Sequence, residues 1–170
     1  VDTLLGPEMK STGEVMGIDD NLGLAIAKAS IAAGSHLPKV GNVFISVRES
    51  DKEAMVPIAK ALRTMGYTIL ATDGTAEHLS ENDITCERVN KISQGRPHIL
   101  DKIQDNQVNW IVNTSLGKRT TEDSYLIRRA ALDFHITYTT TKTGAAALIK
   151  GLEEARKTDI GVAPVQYFTK

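Results

Sequence analysis

The residues best placed to do chemistry are Lys52, the run Thr72-Asp73-Gly74-Thr75, Lys91, and Asn113 with Ser115. Two lysines supply positive charge. The threonine and serine hydroxyls donate hydrogen bonds. A glycine lets backbone approach a ligand closely. That donor set suits an anion, and phosphate is its natural guest at a helix N-terminus. Each part also has a plainer use. Thr-Asp-Gly-Thr serves equally as a turn with a threonine cap before a helix. Lys52 reads as a solvated lysine in a first helical turn, although the helix dipole disfavours a cation there. Lys91 is ordinary loop surface, and Asn113 can cap a turn.

The kind of phosphate is bounded by what is missing. The sequence has no G-x-x-x-x-G-K-[ST] loop and no G-x-G-x-x-G. A monophosphate therefore fits better than a triphosphate or a dinucleotide. His36, His78, His98, His135 and Cys86 share no metal-ligand spacing, so no metal site is expected. Asp123 and Ser124 open a helix and read first as capping residues, with a ribose hydroxyl in reach. Of Arg128 and Arg129, one is expected on the helix surface and one in a salt bridge. Trp110 and Phe134 are expected in the core.

These residues need elements to position them. The runs NVFISV (42–47), YTILAT (67–72), CERVNKI (86–92), VNWIVNT (108–114) and ITYTT (136–140) read as strands. Between them lie helical stretches at 51–66, 76–82, 98–106 and 121–134, with a last one at 143–157. Ser50-x-x-Glu53 predicts a capping box for the first of these. Pro57 is an oddity inside it. Strands alternating with helices predict a Rossmann-like, mostly parallel α/β sheet of about five strands with helices on both faces. In such sheets ligands bind beyond the carboxyl ends of the strands. Thr72, Lys91, Asn113 and Thr140 lie at the carboxyl ends of their strands and Lys52 just beyond one, so they should share one edge. Residues 1–18 read as an arm, 21–34 as a helix stopped at Gly34, and 35–41 as a linker. The domain boundary is placed between 41 and 42. The segment VAPVQYF (162–168) predicts an edge strand or a docked tail.

Composition narrows the class. The chain has 170 residues, 41% of them hydrophobic, and a formal net charge of −1. That is enough for one cored domain and lacks the basic surplus of a nucleic-acid binder. No run approaches the roughly 20 apolar residues of a membrane span, and no signal peptide is visible. One cysteine excludes an intramolecular disulfide framework and suggests a reducing, cytoplasmic setting. The chain opens at Val1 and reads as a piece of a longer protein.

Several longer motifs resemble one family. GPEMKSTGEVMG (6–17) resembles the end of the second ATP-grasp unit in the large subunit of carbamoyl phosphate synthetases. SVRESDKE, ATDGTAEHL, VNKISQGRPHILDKI, VNTS and EDSYLIRRAAL then resemble, in order and spacing, that subunit's C-terminal regulatory domain. The likeness covers essentially the whole chain. It implies a methylglyoxal-synthase-like fold for 42–170, with 1–41 as the tail of the preceding synthetase domain and a linker. It also implies an allosteric role without catalysis in these residues. In bacterial members the domain binds UMP as inhibitor and IMP as activator.

Carried over by motif, the phosphate would meet Lys52, Thr72, Gly74, Thr75 and Lys91. The nucleoside would meet Asn113 and Ser115, with Asp123 and Ser124 nearby and Ile92 and Ile99 flanking the base. Tyr138 and Thr140 would form this domain's share of an ornithine site. Ser115 stands where threonine is common, and Asp73 where histidine is common. Asp73 would add a negative charge beside the phosphate. The resemblance further implies the rest of the large subunit and a glutaminase small subunit as partners, with oligomer contacts through this domain. ATP, Mg2+ and K+ would serve the remainder of the enzyme, which makes carbamoyl phosphate for pyrimidine and arginine synthesis. The alternative is a methylglyoxal-synthase-type lyase. Those enzymes resemble G-P-x-G-G-D-x-Q at the third loop, where this chain has SQGRPHILDKI, so their catalytic carboxylate has no clear counterpart.

Overall fold

Alternation along three strands decides the architecture. In the computed structural model, which describes residues 15–35, 39–114 and 118–168, β1 (Asn42–Ser46), β2 (Thr68–Ala71) and β4 (Trp110–Asn113) are central. Val43, Ile45, Ile69, Ala71, Trp110 and Val112 face one core, while Phe44, Leu70 and Ile111 face another. Successive strand residues point to opposite faces, so a strand buried on both sides must be apolar throughout. Each fully buried large side chain, Trp110 or Phe44 for example, contributes about 1.5–3 kcal/mol of transfer free energy.

Two more strands, β3 (Glu87–Arg88) and β5 (Thr137–Thr139), complete a parallel sheet in the order β3-β2-β1-β4-β5. This is the α/β class that the sequence predicts. Helices α2 (Lys52–Thr64), α3 (Asp73–Glu81) and α6 (Lys142–Lys157) cover the first core. Helices α4 (Ile99–Gln104) and α5 (Lys118–Asp133) cover the second. The strand order reverses direction between β1 and β4, which leaves a crevice open at their carboxyl ends.

An additional helix, α1 (Leu22–Ala32), lies against α6. Two glycines permit the close approach. A Cβ on Gly23 would sit 2.8 Å from the Lys150 carbonyl oxygen, and one on Gly151 would sit 3.3 Å from Ala27 N. Asn21 caps α1 by accepting from Leu24 N and donates to Glu154 Oε2 at 3.2 Å.

Several local features differ from the sequence expectations. The third strand spans only Glu87–Arg88, both exposed, because Asn90 instead bridges to His98 and Lys91 leads into a 3-10 turn at Ile92–Gln94. Ser50 forms no capping box: Glu49–Asp51 is a 3-10 turn that runs directly into α2. Helix α2 passes through Pro57 unbroken. Helix α3 begins three residues earlier than predicted, at Asp73. Phe134 is 39% exposed at the end of α5 rather than in the core. Residues Val165–Phe168 form a 3-10 turn, not an edge strand.

Candidate anion-binding cleft

The site follows from strand parity. Phe44, Leu70 and Ile111 share the face covered by α4 and α5. Two residues further along each strand, on the same face, come Ser46, Thr72 and Asn113. Ser46 and Asn113 are register partners. All three are buried polar residues at the carboxyl edge of the sheet. They line a cleft together with Lys91, Ile92, Ile99, Asp123 and Ser124. Thus seven of the residues singled out in the sequence meet in one place: Thr72, Lys91, Ile92, Ile99, Asn113, Asp123 and Ser124.

Thr72 stands where β2 gives way to α3. It occupies the N-cap position of α3, but its side chain makes no capping bond. Its hydroxyl lies 3.5 Å from Ser46 Oγ and 3.5 Å from Thr75 Oγ1. Thr75 Oγ1 also accepts from Val47 N at 3.4 Å, tying α3 to the end of β1. The Thr75 and Ala76 amides donate to the Thr72 carbonyl. The Asp73 and Gly74 amides have no acceptor among the described residues, as expected for a first helical turn. They point a partial positive charge out of the helix.

Lys52 completes this end. Its ammonium lies 3.5 Å from where a Cβ on Gly74 would be, and 2.7 Å from Glu49 Oε2. The Lys52 side chain is 16% exposed and that of Glu49 86%, so the ammonium is held in place while its partner is freely solvated. Gly74, lacking a side chain, keeps open the space between the helix and the ammonium.

At the other end Asn113 Nδ2 donates to Ser124 Oγ at 3.2 Å, joining β4 to α5. Asp123 and Ser124 are partly buried on the cleft wall. Ser115 lies outside the described residues. The cavity is narrow, about 20 Å3 in volume, so its walls must part to admit a base.

Tyr138 lies within β5 and Thr140 just beyond it, both outside the cleft. Tyr138 packs its ring beneath the Arg128 guanidinium, 5.8 Å from the ring centroid. Burial pushes its phenol above the ordinary value, against the pull of neighbouring Asn113 and Arg128. Arg129 pairs with Asp133. So the arginine pair divides, with Arg128 partly buried over an aromatic ring and Arg129 at the surface in a salt bridge.

Below the edge lies a buried carboxylate, Asp51. Arg48 Nε donates to it at 2.7 Å and Lys142 Nζ lies 3.3 Å away. Burial raises its pKa, but hydrogen bonds from Arg48, Thr114 and Lys142 outweigh that and hold it below the ordinary value.

Four contributors escaped the sequence reading. Phe44 forms the floor, Ser46 and Ile127 line the walls, and Gln94 links two walls. The first three were findable. Phe44 and Ser46 share a strand face at i and i+2, and Ile127 follows Asp123 and Ser124 at helical spacing.

Comparison with known proteins places this geometry. Residues 54–140, just over half of the chain, match the model of the MGS-like domain. The chain belongs to the MGS-like domain family. The matched span of this MGS-like domain runs from α2 through β5 and holds most of the cleft. Along nearly its whole length the chain is also similar to part of longer proteins. It is 48% identical over 169 residues, 99% of the chain, to the carbamoyl phosphate synthase large chain of Archaeoglobus fulgidus. It is 48% identical over 153 residues to that of Xanthomonas axonopodis pv. citri, covering 90% of the chain. It is 45% identical over 157 residues, 92% of the chain, to the carbamoyl phosphate synthase large chain, C-terminal section, of Aquifex aeolicus. The MGS-like chain spans 16% of the first relative, 14% of the second and 29% of the third. Among the described residues no helix is long and apolar enough to cross a membrane.

Proposed function

We propose that this chain is a nucleotide-sensing regulatory module of a carbamoyl phosphate synthase large chain, with UMP and IMP as its ligands. One observation carries the reading: two buried threonine hydroxyls, two free helix amides, the Lys52 ammonium and the cleft-lining residue Lys91 lie along one sheet edge. That set would surround a phosphate dianion, which would replace Glu49 on Lys52. The adjoining wall of Ile92, Ile99, Asn113, Asp123 and Ser124 offers an apolar slot and polar atoms for a nucleoside. Similarity to large chains supports the identity of the larger enzyme.

In that enzyme the chain would be a non-catalytic part of an ATP-dependent ligase. Residues 1–41 would be the tail of the preceding synthetase domain, and 42–170 the sensor. Tyr138 and Thr140 would lend this domain's share of an ornithine site. ATP, Mg2+ and K+, and the glutaminase small subunit, would act on the rest of the large chain in the cytoplasm. A nucleotide would control distant synthesis only by binding one state of the enzyme better than another, with a coupling of roughly 1–3 kcal/mol.

The test is a pair of substitutions. Lys52→Ala and Lys91→Ala should each weaken UMP and IMP by about tenfold, the loss of one charge-assisted hydrogen bond. Thermal unfolding should be unchanged. Full affinity in both variants would place the phosphate elsewhere.

A further inference from the structure

Asp73 looks misplaced in a phosphate cradle, because a carboxylate there repels the ligand. Its surroundings give it another task. Gln94 Nε2 donates to Asp73 Oδ2 at 2.9 Å, and Gln94 Oε1 accepts from the Lys91 backbone N–H at 2.7 Å. The carboxamide thus bridges the first turn of α3 to the residue that begins the 92–94 turn. Gln94 N donates back to the Lys91 carbonyl at 3.0 Å, closing the ring. Lys91 and Ile92 line the same cleft as Thr72. The sheet holds the chain as far as Val89, whose N–H donates to the Ala71 carbonyl, and Asn90 bridges to His98; beyond them the Lys91 backbone is held by the bonds to Gln94.

We infer that Asp73 and Gln94 are positioning residues that hold Lys91 over the phosphate end of the cleft, with Asp73 acting as the anchor for Gln94 and not as a guard against anions. The inference rests on the proposed effector site and adds a residue pair to it. A side-chain amide can accept one bond and donate another at once, which is why glutamine suits the bridging position. The task required of residue 73 is only to accept, so an uncharged acceptor would serve. That separates anchoring from repulsion, because the two give opposite signs. If the Asp73 charge repelled phosphate, removing it would tighten binding. If Asp73 anchors Gln94, removing its acceptor loosens Lys91 and weakens binding.

The test uses the chain with UMP, inorganic phosphate and uridine in calorimetric titrations. Asp73→Ala should weaken UMP and phosphate several-fold and leave uridine unaffected. Asp73→Asn, which keeps an acceptor, should bind as the parent does. Gln94→Glu, which sets two carboxylates against each other, should behave as Asp73→Ala. A second readout needs no ligand. Amide hydrogen exchange at Lys91, whose own acceptor survives in Asp73→Ala, should quicken about fivefold in that variant and not in Asp73→Asn. Tighter or unchanged phosphate binding in Asp73→Ala overturns the inference, as does loss in Asp73→Asn equal to that in Asp73→Ala. If the parent chain binds neither UMP nor phosphate, the effector reading fails by itself. The exchange rates then decide the anchor: unchanged Lys91 exchange in Asp73→Ala overturns it.

Discussion

Asn113 and Ser124 are joined by a 3.2 Å hydrogen bond between the end of β4 and the first half of α5. Asn113 is buried, and its strand partner is Ser46 at the switch point of the sheet. One side chain therefore both fixes α5 on the sheet and faces the cleft. Asn113→Ala should cost about 1 kcal/mol of stability, the net worth of one hydrogen bond. Urea unfolding measures this. The same change should weaken UMP while sparing inorganic phosphate, because under the proposed function the residue would stand at the nucleoside end.

Gly74 separates binding from stability more sharply. Alanine in the first turn of α3 should stabilise the helix by up to about 0.5–1 kcal/mol, since glycine is a poor helix former. The added methyl would lie in ordinary contact with Lys52 Nζ at 3.5 Å, in the space that the proposed phosphate would take. Gly74→Ala is thus expected to raise the melting temperature and lower UMP affinity. Parallel melting and titration check both signs, and a variant that gained on both counts would move the phosphate off α3.

The Asp51 carboxylate sets the acid limit of the fold. Its folded pKa lies below the ordinary 3.8. Its stabilisation is then fully present above that value and is lost as pH falls from there through the folded pKa. Asp51→Asn removes the counter-charge of Arg48 and Lys142 and should cost about 1–3 kcal/mol near neutral pH. It should also flatten the acid limb of the stability curve below about pH 4. Urea midpoints across pH 2–7 test this, with an unaltered acid limb as the contrary result.

How much of this was legible depended on which force decided each element. Strand burial was legible, because Val43 to Ile45 and Trp110 to Val112 are apolar on both faces and only a covered parallel sheet accepts that. The cleft was legible for the same reason, as Thr72 and Asn113 simply continue the strands. The third strand was not. Val89 and Ile92 in the run 86–92 suggested pairing, but they pack into the second core while Asn90 and Lys91 between them leave the sheet. Ser50 looked like a cap in isolation, whereas the buried Asp51 contact to Arg48 and Lys142 pulled that turn tight. Phe134 looked like core by type, yet it follows the last turn of α5 and meets solvent. Gln94 left no mark in the sequence, because its role is a tertiary hydrogen bond to a residue 21 positions away.

The most direct test of the central claim is a calorimetric titration of the chain with UMP and IMP, with uridine as the control. The account predicts binding of the nucleotides and a loss of at least about tenfold for uridine, which lacks the group that the two threonines and two lysines would hold. Equal affinity for UMP and uridine would contradict it, because the cradle on α3 would then contribute nothing to recognition.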